Sequence, residues 1–438
     1  MTDNEEMPSN PNECQTNRES DHIMDEQNRM GISTNNPDNE DDDGVGTVTK
    51  KHIFLIIFGI FTHILDMIVD LSVAGRYLLQ KEYHDFTWTI SVLFIPSLIN
   101  VIVSDRMYQQ DFELDPESSW NRTTACKIIQ KKKYWPLIVF FQFAPVLRYF
   151  DNLKCALIIY KCQKGNDYYT KKQYHKMMIK EKQDISLLQI FECFLESAPQ
   201  AAVQLSLMIR DYKTDAPINF TLIHRIFNIS MSLVSMSYVL LKYYEIIRLA
   251  QENKENIKTK MQKIVQFLWI LFVAVSRIVT IGAAAAIYSV LGVTVCFLHW
   301  IFMTIWMIKE SSGILQFCRN QSREPHIPPT TLEKIKTYSL CGIYGAISIF
   351  IYLKPKDGPT LYRHIVYYTI CGLENFGVTL FWIFEESVRA QYPQYWNYII
   401  ISFCTVSYIV GVLMMIIYYR FLHPKVKNQR KNTRNIIT

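Results

Sequence analysis

The sequence has none of the short motifs that identify common enzyme families. It contains no HExxH, GxSxG or Walker A pattern and no glycine-rich phosphate loop. Its ten cysteines include no CxxC pair and fall mostly in or beside apolar stretches. We interpret them as small buried hydrophobic side chains rather than a disulfide framework. We therefore expect a protein that is not an enzyme and that holds no metal and no cofactor.

Charged residues are scarce within the long apolar runs and are concentrated between them. The chain of 438 residues is 49% hydrophobic and has a total net charge of +6. Residues 1–50 hold thirteen acidic and three basic side chains, a net charge of −10, which leaves +16 on the remainder. A soluble protein spreads its charge more evenly. This division predicts an all-α polytopic membrane protein with an acidic tail.

The same patterns divide the chain into three regions. Residues 1–50 have few large apolar groups, so we expect a disordered acidic cytosolic tail and no cleaved signal peptide. Residues 51–420 form a helical membrane domain. Residues 421–438 form a short basic tail, whose positive charge favours the cytosol.

Lysine blocks predict which apolar segments cross the membrane. Segment 134–153 is flanked by Lys131, Lys132 and Lys133 and by eight lysines within 154–183, so both of its ends favour the cytosol. Segment 336–353 is short and is also flanked by lysines. If both segments are re-entrant, about eight transmembrane helices remain and both termini are cytosolic. The crossings are 52–79, 86–104, 184–210, 219–248, 264–288, 290–308, 361–385 and 395–420. The alternative, ten full crossings, places the lysine block 154–183 outside.

Two short stretches suggest an internal repeat. Ile190–Pro199 reads IFECFLESAP and Tyr368–Gly377 reads YTICGLENFG, so that Glu196 matches Glu374. Each stretch follows a predicted re-entrant segment. We expect two pseudo-repeated halves that bracket a central pathway, with a chance match in biased sequence as the alternative.

Ionisable side chains lie inside the predicted spans, where each costs roughly 2.5 kcal/mol or more. One alternative is structural, because an acidic and a basic side chain can pair and hold two helices together. The other is a ladder of charges that guides an ion, a zwitterionic solute or a lipid head group. In either case we expect Pro199 to break the helix that carries Glu192 and Glu196. The candidate residues are Asp66, Asp70, Arg148, Glu192, Glu196, Arg277 and Glu374.

The element FLESAPQAAVQLSLMI resembles the hallmark of the XK-related family. The paired aspartates of the first span agree with it, as do FAPVLRYFDNL at 143–153 and LENFGVTLFW at 373–382. The resemblance covers about residues 52–420 and implies eight spans, two re-entrant helices and two pseudo-repeated halves. For the apoptotic branch it implies a plasma-membrane phospholipid scramblase that exposes phosphatidylserine after caspase cleavage. The two charged tails look most like those of the nematode cell-death branch.

By matching position, the resemblance assigns the guiding of head groups to Asp66, Asp70, Arg148, Glu196 and Arg277. The implied partners are membrane phospholipids, an activating caspase, and either a single-span membrane protein or a second copy of the chain. We expect the lysines of 154–183 to meet anionic lipid head groups and not nucleic acid. A solute transporter that binds its substrate between Glu196 and Glu374 is one alternative function. A membrane scaffold that transports nothing is the other.

A caspase site, if the resemblance holds, must lie in the N-terminal tail, because no Asp or Glu follows Glu386. The candidates are Asp21, which follows Glu19 and Ser20, and Asp43, which precedes the small Gly44. The acidic tail and the cytosolic lysines should associate through many weak contacts. Cleavage of the tail would then end this association.

Overall fold

The computed structural model describes residues 47–81, 83–114, 123–165, 167–211, 220–250, 259–320, 323, 326–353, 361–384 and 394–422. Within these ranges the regular elements are helices, and no strand occurs. The predicted all-α class is thereby confirmed. The caspase candidates Asp21 and Asp43 lie outside the described residues, and so does the side chain of Asp70 on an otherwise described helix.

Fourteen α-helices make up the described part of the chain. Two single π turns, at Cys193–Ser197 and Tyr418–Leu422, and a 3₁₀ turn at Lys132–Tyr134 accompany them. The helices are α1 Lys50–Leu79, α2 Tyr83–Leu114, α3 Thr124–Gln130, α4 Trp135–Phe140, α5 Phe143–Gly165, α6 Tyr168–Glu192, α7 Ala198–Asp211, α8 Phe220–Ala250, α9 Lys260–Ile287, α10 Ser289–Lys309, α11 Ser312–Cys318, α12 Thr331–Ser348, α13 Leu361–Phe384 and α14 Gln394–Ile417.

Six of the described helices are long and apolar enough to cross a membrane, namely α1, α2, α8, α9, α10 and α14. A span needs about 20 mostly apolar residues. The apolar window of α9 is 61% buried within the protein, whereas that of α1 is 17% buried. Helix α9 is therefore central, and α1 lies at the periphery. The protein is a multi-pass membrane protein, as predicted.

Two of the eight expected crossings, 184–210 and 361–385, are not among these six. The first is divided, because the π turn separates α6 from α7, which has 14 residues. The second corresponds to α13, where Glu374 and Asn375 are adjacent in the chain. These two helices contain candidate site residues, and those polar groups make them less apolar than an ordinary span.

Segment 134–153 is a helical hairpin, as expected for a re-entrant element. Helix α4 has six residues, about 9 Å, which is too short to cross a membrane. The chain turns at Phe141 and Gln142, and Gln142 has a left-handed φ of 48°. Helix α5 then packs along α6. We call Phe141 and Gln142 the first tip.

Residues 154–183, which the lysine count predicts to be a cytosolic loop, are mostly helical. Helix α5 ends at Gly165 and α6 begins at Tyr168. On α6 the side chains of Met177, Met178 and Glu181 are buried, while several lysines stay partly or fully exposed. Lysine counts indicate which side of the membrane a segment favours, but not whether its backbone is helical.

The second segment that we predict to be re-entrant corresponds to α12 and the turn after it, and α12 begins with a capping box. The Thr330 side chain accepts from the Glu333 backbone N–H, and the Glu333 carboxylate accepts from the Thr330 backbone N–H. Helix α12 packs closely on α10 at Gly345, where a Cβ atom would lie 3.1 Å from the backbone nitrogen of Thr304. The chain turns after Ser348 and Ile349, which we call the second tip.

Candidate functional site

At the first tip, His63 of α1 connects two other elements. Its Nδ1 lies 3.4 Å from Oε1 of Glu192, and its Nε2 lies 3.2 Å from the carbonyl oxygen of Gln142. Ser97 of α2 donates to the carbonyl oxygen of Val139, also near the end of α4, at 2.8 Å. The last carbonyls of a helix have no partner within that helix. Side chains of α1 and α2 therefore contact carbonyls at the end of α4 and in the turn that follows it, and the carbonyl oxygen of Val139 also accepts from the Gln142 backbone N–H.

The second tip shows the same kind of connection. His299 of α10 places Nδ1 2.8 Å from Oε1 of Glu374 and Nε2 3.0 Å from the carbonyl oxygen of Ser348. Arg277 of α9 adds a second donor, because its Nε donates to the carbonyl oxygen of Ile349 at 3.0 Å. Its Nη1 lies 2.8 Å from Oε2 of Glu374, so this carboxylate faces both a guanidinium and an imidazole.

Arg277 is also part of a polar chain that crosses the centre of the protein. Its Nη1 donates to Oδ1 of Asn375 at 3.1 Å, and Nδ2 of Asn375 donates to Oγ of Ser276 at 2.8 Å. Ser276 in turn donates to the carbonyl oxygen of Cys404 on α14 at 2.7 Å. The Arg277 side chain is only 1% exposed, so its charge is neutralised inside the protein.

Arg148 lies on α5, away from both tips. Its Nη1 is 2.9 Å from Asp184 and 3.2 Å from Glu181 of α6, and its Nε donates to Oγ of Ser104 on α2. The guanidinium also stacks on the ring of Tyr108, with 3.5 Å between its central carbon and the ring centroid. The side chains of Arg148 and Glu181 are both 0% exposed. This cluster joins α2, α5 and α6 through a buried ion pair.

The acidic candidates differ from the basic ones in exposure. Asp66 follows His63 by one turn and is exposed. The side chains of Glu192 and Glu374 are 17% and 20% exposed, whereas Glu196 is buried within the π turn. The structure thus collects Asp66, Glu192 and His63 near one tip and Arg277 with Glu374 at the other.

The hallmark element contains a π turn, which interrupts the regular α-helical hydrogen-bond ladder just before Pro199, and the helix then resumes as α7. The Ala198 N–H donates to the carbonyl oxygen of Cys193, five residues earlier, and α7 continues to Asp211. Proline is tolerated in the first turn of a helix, where its missing N–H would have no partner. Single π turns are frequent at functional sites.

The contacts pair the glutamates of the two predicted halves differently from the sequence match. The sequence aligned Glu196 with Glu374, but Glu192 is the residue that meets a histidine as Glu374 does. The two glutamates of the hallmark element lie one helical turn apart, so the motif alone did not distinguish them. The sequence also did not point to His299, Glu181 or Asp184 as partners. Their partners lie 75, 33 and 36 residues away along the chain.

Comparison with known proteins agrees with the hallmark element. The model of the XK-related protein family matches residues 54–424. The chain belongs to the XK-related family. It is 22% identical over 433 residues to Cell death abnormality protein 8 of Caenorhabditis briggsae, covering 92% of this chain and 87% of that protein. It is 24% identical over 385 residues to the Caenorhabditis elegans protein of the same name, covering 85% and 78%.

This XK-related chain offers hydrogen-bonding groups rather than metal ligands at its two tips. Within the described ranges, no group of three or more His, Cys, Asp and Glu side chains is arranged to hold a metal ion. Each tip instead combines a carboxylate, an imidazole and a backbone carbonyl. Such a set can accept an ammonium group at the carboxylate and can exchange one hydrogen-bond partner for another.

Proposed function

We propose that this protein is a phospholipid scramblase of the plasma membrane, which moves phosphatidylserine between the leaflets in dying cells. Its termini are cytosolic in this proposal. The observation that carries it is that three of the candidate acids reach the surface of the membrane domain, whereas the two candidate cations are buried. Asp66 is exposed and Glu192 and Glu374 are partly exposed, while Arg148 and Arg277 are 0–1% exposed.

The chemistry of a phospholipid head group suits this distribution. A head group must cross about 30 Å of hydrocarbon, where each uncompensated charge is costly. Phosphatidylserine and the zwitterionic phospholipids carry an ammonium group, which an exposed carboxylate can accept with a charge-assisted hydrogen bond. Acids at the surface of apolar helices therefore offer successive positions to the cationic part of the head group. The movement is downhill, so it needs no nucleotide site.

The names of the two relatives support a role in cell death, and the tail charges support control by cleavage. The tail of residues 1–50 has a net charge of −10 and contains Asp21 and Asp43. In our proposal this tail restrains the protein electrostatically, and a caspase removes the restraint. Removing residues 1–43 takes away every acidic side chain of the tail.

The first experiment measures lipid movement by the purified protein in phosphatidylcholine vesicles that contain fluorescent phosphatidylserine. We expect a chain that begins at Gly44 to scramble, and the full chain to scramble only after caspase treatment. The full chain with Asp21→Glu and Asp43→Glu keeps the tail charge and should stay inactive. No lipid movement by either form would favour a solute transporter or a scaffold.

A second experiment tests the exposed acids. Asp66→Asn keeps the shape of the side chain and removes its charge, so it should slow scrambling by the truncated chain. Asp167→Asn is the matched control, because Asp167 is an exposed N-cap residue and Asn caps helices equally well. Equal rates in the two variants would exclude Asp66 from the lipid pathway.

A further inference from the structure

We propose that His63 and His299 are positioning residues that latch the tips of the two re-entrant elements. Through Nε2 each histidine holds a tip carbonyl, and through Nδ1 each one orients the neighbouring glutamate. The proposal does not rest on scramblase activity, because it concerns how the tips are held. It assigns a shared role to two residues from different helices, α1 and α10, which the internal sequence repeat does not align.

The geometry uses the same ring atoms in both halves. Nδ1 meets a carboxylate, which is Glu192 for His63 and Glu374 for His299. Nε2 meets a backbone carbonyl, which belongs to Gln142 for His63 and to Ser348 for His299. The ring is rigid, so the position of one nitrogen against the carbonyl fixes the position of the other against the carboxylate.

The first tip needs such a contact, because its own conformation is strained. Gln142 is buried with φ at 48°, a region that a residue with a side chain rarely adopts. Its side-chain amide nitrogen has no hydrogen-bond partner among the described residues. The turn has two backbone hydrogen bonds of its own, from Phe141 to Leu137 and from Gln142 to Val139, but a buried amide without a partner costs stability. The hydrogen bonds from His63 to Gln142 and from Ser97 to Val139 hold it from outside.

The two latches differ in strength. At the second tip the histidine–carboxylate distance is 2.8 Å, and Arg277 independently holds the carbonyl oxygen of Ile349. At the first tip the corresponding distance is 3.4 Å, and the guanidinium of Arg148 is engaged with Glu181 and Asp184 instead. Losing the histidine should therefore release the first tip more than the second.

The experiment reads the exposure of a thiol placed next to each tip. Ala144→Cys reports on the first tip and Ser348→Cys on the second, since both positions are 0% exposed. Each reporter is combined with a histidine variant, and labelling of the purified protein by a charged maleimide is timed. The protein without a reporter gives the background from its natural cysteines.

Two substitutions of each histidine separate its two contacts. The amide nitrogen of Gln reaches the position of Nε2, whereas that of Asn reaches the position of Nδ1. His63→Asn should raise labelling of Ala144→Cys about tenfold, and His63→Gln should leave it nearly unchanged. His299→Asn should raise labelling of Ser348→Cys only about threefold, because Arg277 still holds Ile349.

Both variants of a histidine lose the imidazole ring, and they differ in which of its two contacts the amide nitrogen can replace. Equal labelling of the Asn and Gln variants would overturn the latch at that tip. Increased labelling at the other tip would report general loosening and would also overturn it. Lipid movement is not measured, so failure of the latch and failure of the proposed function give separate results.

Discussion

The two halves of the molecule hold their re-entrant elements with the same kinds of contact, but at different places. In the second half a guanidinium lies at the tip itself, where Arg277 contacts Glu374 and Ile349. In the first half the guanidinium of Arg148 lies further along α5, where it joins α5 to α6. The first hairpin is therefore fixed along its returning arm, and the second element is fixed at its tip.

The two elements also differ in how the first turn of their helix is capped. Helix α12 starts with the Thr330–Glu333 capping box, and Arg323 also lies 3.3 Å from Glu333. Helix α4 has no side-chain cap, although Pro136 in its first turn has a favourable φ. The second element is thus stabilised at both ends, while the first depends on its neighbours. This difference leads us to expect that the first tip is the one that moves.

Arg148→Met should cause the largest loss of stability in either half. It leaves the Glu181 and Asp184 carboxylates without their guanidinium, and breaking a buried ion pair costs about 3–5 kcal/mol. The measurement is the thermal unfolding of the protein in detergent. Arg210→Met is the control, because Arg210 is exposed and should change stability by about 0.5 kcal/mol at most. Similar unfolding temperatures in the two variants would contradict a central role for this cluster.

Arg277→Met should cost about 3 kcal/mol, the lower end of the same range. Glu374 keeps its contact with His299 and is 20% exposed. Its carboxylate therefore retains a hydrogen-bond partner and some solvent, unlike the buried carboxylate of Glu181 beside Arg148. Adding Glu374→Gln should recover part of the loss, since the double variant leaves no charge unpaired. If the double variant is less stable than Arg277→Met, the two side chains do not act as a pair.

Gly345→Ala tests the close packing of the second element and should cost about 1–3 kcal/mol. The new methyl group would press on the backbone of Thr304 and move α12 away from α10. Gly342→Ala on the same helix is the matched control, because a Cβ there meets no atom within 4 Å. That control should be neutral or stabilise the helix by up to about 1 kcal/mol. Equal effects would indicate that α12 can shift freely.

Glu333→Gln should have the smallest effect, about 1 kcal/mol, through the cap of α12. The Thr330 backbone N–H bond lowers the pKa of Glu333 from 4.5 to about 2, although burial acts in the opposite direction. A lowered pKa means that the carboxylate stabilises the fold fully above pH 4.5 and loses this contribution as the pH falls towards 2. The stability difference between the two proteins should therefore be constant near neutral pH and shrink in acid. A difference that grows on acidification would contradict the cap.

The sequence predicted the helical membrane class and the family, because hydropathy and the hallmark element are signals local to each segment. That segments 134–153 and 336–353 are re-entrant stays a prediction. The sequence also identified Glu192, Arg277 and Glu374 as polar groups in apolar helices. It did not predict that Arg148 meets Glu181, because the lysine count placed Glu181 in a loop. A helical reading of 168–192 would have put Glu181 and Asp184 on one face with Leu188.

The helical, membrane-spanning character of the apolar segments was determined by the sequence alone, because the cost of placing charge or bare backbone in hydrocarbon is local to each segment. The side of the membrane on which each loop lies stays a prediction. Exposure and pairing were decided only by the tertiary structure. Whether a carboxylate is partly exposed, as Glu374 is, depends on how helices distant in sequence pack around it. The meeting of His63 with Gln142, 79 residues apart, follows from that packing and from no local pattern.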